Sequence, residues 1–168
     1  MVLYGHTIRV DGAVTTDMIL APEHRESGDP ALLAAMCLAS VDPAIAERVR
    51  EGDVLVTGAG CGAGEGQEEA ALALQAAGFA AVVCSSADPG FSEQAARLGL
   101  PVLECRAALE LADGALVRID LASGRIEDRA HGTLLQAEPL PEELIAAVRQ
   151  AQLFRRMRQV VDEEGLGD

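Results

Sequence analysis

The chain has 168 residues, a formal net charge of −14, 49% hydrophobic residues and only 2% aromatic residues. That charge opposes binding to nucleic acid and to anionic membranes, and the scarcity of aromatics leaves few surfaces for base stacking. All thirteen basic residues are arginine, which excludes Schiff-base chemistry on lysine and the lysine-dependent phosphate loop.

The length suits one domain, with a core of Ala, Leu, Val and Ile packed in layers. His6 to Val10 alternates like a strand, and Asp11-Gly12 marks a turn. A polar loop, Pro22 to Gly28, precedes Asp29-Pro30, which reads as an N-cap and first helical residue of a helix running to about Leu38. Asp42-Pro43 repeats the device for a helix ending near Arg50.

Val54 to Val56 reads as a short buried strand feeding the run Gly58-Ala-Gly-Cys-Gly-Ala-Gly-Glu-Gly66, with five glycines at alternate positions. A strand, a glycine loop and a helix N-terminus make an anion site, since free amides and the helix dipole favour negative charge. Yet the loop carries Glu65, with Glu68 and Glu69 just beyond it, and no basic residue. The helix that follows runs to about Ala77, with Gly78 as its stop. Ala80 to Cys84, a helix from Pro89 to about Leu98 and Val102-Leu103 continue the alternation of strand and helix, which predicts a parallel sheet. Ala115 to Leu121 and Arg125 to Asp128 flank the turn Ser123-Gly124 as a hairpin, and Thr133 to Ala137 supplies a further strand. Leu144, Ile145, Val148, Leu153 and Met157 recur at helical spacing over about 141–164, with Arg155, Arg156 and Arg158 read as a solvated face.

The four cysteines, Cys37, Cys61, Cys84 and Cys105, are widely spaced, without a C-x-x-C pair, and read as free buried thiols. No signal peptide and no apolar run of spanning length is evident, so the expected location is the reducing cytoplasm.

Taken in order, these segments resemble the small subunit of 3-isopropylmalate dehydratase, the swivelling domain of the aconitase superfamily. Thr16-Asp17 with Ile19 is similar to the family's Asn-Thr-Asp-Glu-Ile segment, and Asp29-Pro30 keeps its spacing to Leu33 and Cys37. Pro43, Gly52-Asp53 and Val56 fit a second phrase. Gly62-x-Gly64 and Glu68-x-Ala70 frame the catalytic loop, Gly99 to Cys105 follows as a whole, and Ala137 to Pro141 closes the match. The resemblance implies a single α/β swivel domain over 1–168, of β/β/α layering, with a parallel-containing sheet, flanking helices, a short β-hairpin and a C-terminal helix. It also implies removal and re-addition of water on a hydroxy di- or tricarboxylic acid. The family's [4Fe-4S] cluster lies in a separate large subunit, so no cofactor and no metal ligand is expected in this chain. The expected partners are that large subunit and a small carboxylic acid, with homodimerisation left open and neither nucleic acid nor membrane among them.

The catalytic loop departs from the family pattern Gly-x-Gly-Ser-Ser-Arg-Glu-His. Glu65 stands in the place of the serine and Gln67 in that of the arginine, and two later family arginines are replaced by Pro89 and Glu93. Loss of one charge-assisted contact to a carboxylate weakens binding by about 1.5–3 kcal/mol. A carboxylate placed about 4 Å from a substrate carboxylate adds roughly 4 kcal/mol of repulsion at an effective dielectric near 20.

Three readings follow. In the first, Glu65 takes over acid–base work, given burial or the neighbouring charges of Glu68 and Glu69. Gly62, Gly64, Gly66, Gln67 and Ser86 then surround the substrate, and His24 and Arg25 grip its variable part. In the second, the fold is kept as a non-catalytic binding or regulatory module in which Glu65, Glu68 and Glu69 meet a cationic ligand, an arginine-bearing partner or a divalent metal; the plainer account of Glu68 and Glu69 is that they complement the helix dipole. In the third, Cys61 acts as a reactive thiol among the loop amides.

Overall fold

The computed structural model describes residues 1–165. The last three residues of the span expected for the domain lie outside the described residues. Seven strands form one mixed sheet: β1 (Val2–Val10), β2 (Val54–Thr57), β3 (Ala81–Cys84), β4 (Val102–Glu104), β5 (Leu116–Asp120), β6 (Arg125–Asp128) and β7 (Leu134–Gln136). Their order across the sheet is β4-β3-β2-β1-β5-β6-β7.

β1 joins two half-sheets. Its second half pairs in parallel with β2, Thr7 opposite Val54, while its first half pairs antiparallel with β5, His6 opposite Leu116. It starts four residues earlier than the alternation of His6 to Val10 suggests. Over Val2 to His6 one face is exposed and the other, carrying Leu3 and Gly5, only half-buried, so the residue types Val-Leu-Tyr-Gly-His show no apolar alternation although the exposure does alternate.

The helices are α1 (Thr16–Ile19), α2 (Pro30–Met36), α3 (Ile45–Arg48), α4 (Gln67–Ala77), α5 (Pro89–Arg97) and α6 (Glu142–Glu163). Asp29 caps α2 as expected, its carboxylate accepting from the Ala31 amide at 3.0 Å. Gly78, at φ +115°, ends α4 while the Phe79 amide donates to the Leu74 carbonyl. Two expected helices are shorter than their sequence patterns. α2 stops at Met36, two residues before Leu38, which takes φ +57°. Asp42 accepts from the Ala44 amide, but only the single turn of α3 follows.

Both faces of the parallel strands are buried, as short continuous apolar strands require. On one face, Ile8, Leu55, Val82 and Val102 pack with Ile19, Leu33, Leu74 and Phe91 of the helices. On the other, Val54, Val56, Ala81, Val83 and Leu103 share a core with Val117, Ile119, Ile126 and Leu135, so the antiparallel half of the sheet curls over the parallel half. This β/β/α layering puts the loop after β2 at the carboxyl end of the parallel strands, beside α1, α4 and α5.

Candidate functional site

The first half of the glycine loop is tied down by its own bonds. The amides of Gly58 and Gly62 donate to the carbonyls of Gly12 and Val14, at 2.8 and 2.9 Å. Gly60 donates to Ser86 Oγ at 3.0 Å, and Cys61 to the Ser86 carbonyl at 3.0 Å. Gly62 is in the left-handed region, and a β-carbon there would lie 2.1 Å from Cγ of the buried Phe91. What the backbone approaches here is the protein's own ring, so this half of the loop is not the anion cradle that the alternating glycines suggest.

The second half faces a cleft of about 480 Å³ lined by Thr15, Thr16, Asp17, Pro22, Arg25, Ala63, Gly64 and Glu65. Here the amides of Glu65 to Glu68 have no acceptor among the described residues, because α4 lacks a side-chain cap. Arg25 borders the cleft and pairs with the Asp17 carboxylate through Nη2. Its Nε is buried without a hydrogen-bond partner and lies against Gly66, where a β-carbon would come within 2.4 Å of it. A buried donor left unpaired costs about 1–3 kcal/mol, more for a charged group, and an anionic oxygen at that point would recover it. Glu65 is exposed and makes no ion pair or hydrogen bond among the described residues. The burial suggested for it from the sequence is therefore absent in this chain by itself.

The other sequence candidates lie elsewhere. Gln67 spans the loop and α5: its Nε2 donates to the Gly62 carbonyl at 3.1 Å and to Asp88 Oδ1 at 2.9 Å. Its Oε1 accepts from Gln94 at 3.4 Å, so both ends of the amide are in use. The hydrogen bond from Gln67 holds the Asp88 carboxyl below the usual carboxylate range; partial desolvation opposes this, and the amides of Gly90 and Phe91 support it. Ser86 serves as acceptor for the Gly60 amide. His24 sits in a 3-10 turn, Pro22–His24, with its Nε2 3.8 Å from the Glu23 carboxylate, and does not line the cleft.

The structure thus brings together Glu65, Gly64, Gly66 and Arg25, and leaves Gly62, Gln67, Ser86 and His24 outside the cleft. Sequence reasoning did not count Asp17, Thr15 and Thr16 among the site residues. The usable signal was the opposite charge of Asp17 and Arg25, separated by one helical turn and a proline. Glu68 and Glu69 occupy the first turn of α4, where they complement its dipole.

All four cysteines are free and buried. Burial pushes the Cys37 thiol up to about 12. Cys61 is wholly inaccessible in the helix-side core; its hydrogen bond with the neighbouring Cys84 holds its thiol below the ordinary value although desolvation opposes this, so it is lack of access and not lack of acidity that opposes the reactive-thiol reading. Among the described residues no three His, Cys, Asp or Glu side chains converge on a metal position.

A sheet covered on both faces, with its cleft on the loop that leaves the second parallel strand, defines the α/β swivel-domain class. No protein-family model matches the chain. The small subunit of 3-isopropylmalate dehydratase from Caldanaerobacter subterraneus subsp. tengcongensis is 31% identical over 160 residues, 95% of this chain and 99% of the relative. That from Ruminiclostridium cellulolyticum is 34% identical over 147 residues, 85% of this chain and 90% of the relative. A crystal structure of 3-isopropylmalate dehydratase from Methanocaldococcus jannaschii matches with a TM-score of 0.84 at 26% identity, covering 98% of this chain and 99% of that one. The chain belongs to the family of 3-isopropylmalate dehydratase small subunits.

Proposed function

We propose that this chain is the small subunit of a hydro-lyase of the isopropylmalate dehydratase type, working as one swivel domain over 1–168 on a hydroxy di- or tricarboxylic acid. A separate large subunit carries the [4Fe-4S] cluster. In this chain the four thiols are buried, with Cys61 and Cys84 as neighbours, and among the described residues no three His, Cys, Asp or Glu side chains converge on a metal position. Four free thiols also suit a reducing cytoplasm, and no helix among the described residues is long and apolar enough to cross a membrane.

The observation that carries the reading is the unpaired Nε of Arg25 beside the Glu65 cleft. Its N–H donates to a substrate carboxylate, the free amides at the start of α4 orient the same anion, and Asp17 fixes the guanidinium from the other side. Glu65 then takes the proton from the carbon next to a carboxylate; the electron pair of that C–H bond forms the C=C bond as the hydroxyl leaves the adjacent carbon as hydroxide, and in hydration hydroxide adds back while Glu65 returns the proton. Docking of the large subunit supplies the burial that Glu65 lacks in the isolated chain.

The test is anaerobic mixing with the large subunit of a relative and an assay of hydration across a panel of unsaturated diacids. Arg25→Ala is expected to raise KM by about 10- to 150-fold, equivalent to about 1.5–3 kcal/mol, and Glu65→Gln to lower kcat by about 10²- to 10⁴-fold. Turnover unaffected by Glu65→Gln rejects the role given to Glu65. Absence of turnover with every large subunit and diacid favours the second reading, a non-catalytic binding module. That reading draws on one observation: the polar ends of Gln67 are committed to internal bonds and cannot replace the missing arginine at a substrate.

A further inference from the structure

α6 has two apolar faces, and the body of the protein covers one. Ile145 and Val148 are buried, whereas every described residue from Leu153 to Gly165 is exposed. Met157 lies about two and a half turns beyond Val148 and therefore on the opposite side of the helix. Around it, Leu153, Phe154, Val160 and Val161 follow the spacing of a coiled-coil seam widened by one position. Their exposures are 58% for Leu153, 58% for Phe154, 55% for Met157, 51% for Val160 and 38% for Val161, a concentration of large apolar side chains matched nowhere else on the described surface. The solvated face expected from the arginines is thus only part of the helix surface.

We propose that this face is closed by α6 of a second copy, packed antiparallel about a twofold axis. Two features select that occupant. The first is charge: Arg156 and Glu163, seven residues apart, flank the apolar stripe on the same side. In an antiparallel pair with Met157 level with Val160 of the second copy, Phe154 and Val161 of opposite copies share one flank and Arg156 and Glu163 the other, each pair within about 3 Å of the same level and within side-chain reach at both symmetry-related positions. The same surface is then complementary to itself, as an isologous contact requires. The second is area: the five side chains offer about 500 Å² of apolar surface per copy, which with the flanking arginine stems approaches the lower end of a stable interface, about 1,200 Å² in total. Because the buried face of α6 points the opposite way, the two bodies lie outside the helix pair and do not collide. The glycine loop and its cleft take no part, so the inference stands apart from the catalytic reading.

Sedimentation velocity and light scattering on the full chain test it. The mass should double between about 1 µM and a few hundred µM, as a small interface of this kind implies. Met157→Glu, on an exposed position that leaves the core intact, should give monomer throughout. Arg156→Glu and Glu163→Arg should each weaken association by about tenfold or more, and the double variant R156E/E163R should restore it, because the reversed charges still face each other. A wild-type chain monomeric at every concentration overturns the proposal, as does a dimer indifferent to Met157→Glu. Failure of the double variant to recover overturns the antiparallel register. A monomer whose Met157→Glu variant loses binding to the large subunit of a relative also overturns it, by assigning the face to that subunit.

Discussion

Replacing Gly62 with alanine, and separately Gly60 with alanine, isolates what the loop glycines do. The two have nearly the same positive φ, +76° and +75°, so the cost of a side chain at left-handed φ, about 1–2 kcal/mol, and the loss of chain entropy in the unfolded state are common to both. Their surroundings differ. A β-carbon on Gly60 meets nothing within 4 Å, whereas one on Gly62 would lie 2.1, 2.4 and 2.6 Å from three carbons of Phe91. Carbon atoms settle at about 3.5–4.0 Å, and Phe91 has no exposed surface through which to move away. Overpacking of this kind costs about 1–3 kcal/mol, which makes Gly62→Ala worse than Gly60→Ala by that amount. For a chain of this length the extra loss is about 2–12 °C in Tm, and urea unfolding should show it as a lower midpoint at an unchanged slope. Equal destabilisation by the two substitutions would refute the claim that the Phe91 ring, rather than backbone conformation alone, requires glycine at position 62.

Two further predictions concern groups around the same loop. Asp88 is held below the ordinary carboxylate range, first of all by Gln67, so its contribution to stability is fully present above about pH 4 and is lost as pH falls through its folded value. Gln67→Leu removes that hydrogen bond, and the Asp88 carboxyl, followed by carbon-13 NMR, should titrate at higher pH, with acid unfolding beginning earlier; an unchanged Asp88 midpoint would contradict the Gln67 clamp. The four buried thiols should resist a disulfide reagent at mild alkaline pH and react together once guanidinium unfolds the chain. Fast labelling of Cys61 in the native protein would show that the loop opens far more readily than its hydrogen bonds imply.

Much of the parallel half was legible because its signals are local. Asp29-Pro30, the glycine after Ala77 and the short apolar strands each report a cap, a stop or a doubly buried strand within a few residues. The first half of β1 carried no such signal, since its residues alternate between partial and full exposure without a core face. The extents of α2 and α3 were overestimated for a related reason: Pro and Asp mark where a helix can begin, while tertiary packing determined where these two end. At the site, the glycine loop and Glu65 were visible as a pattern, but which half of the loop faces a ligand depended on Phe91, about thirty residues away, and on Asp17 and Arg25 from another segment.

By itself the sequence determined the class of fold, the family resemblance and the place of the candidate loop, because hydrophobic period, capping residues and motif spacing act over short stretches of chain. Only the tertiary structure decided which polar groups remain free. Gln67 has both ends of its amide engaged by neighbours distant in sequence, Ser86 Oγ accepts from the Gly60 amide, Arg25 keeps one donor unpaired at the cleft wall, and α6 runs past the core that covers its first half. Hydrogen-bond satisfaction and burial are properties of the whole packed chain, so no local pattern can report them.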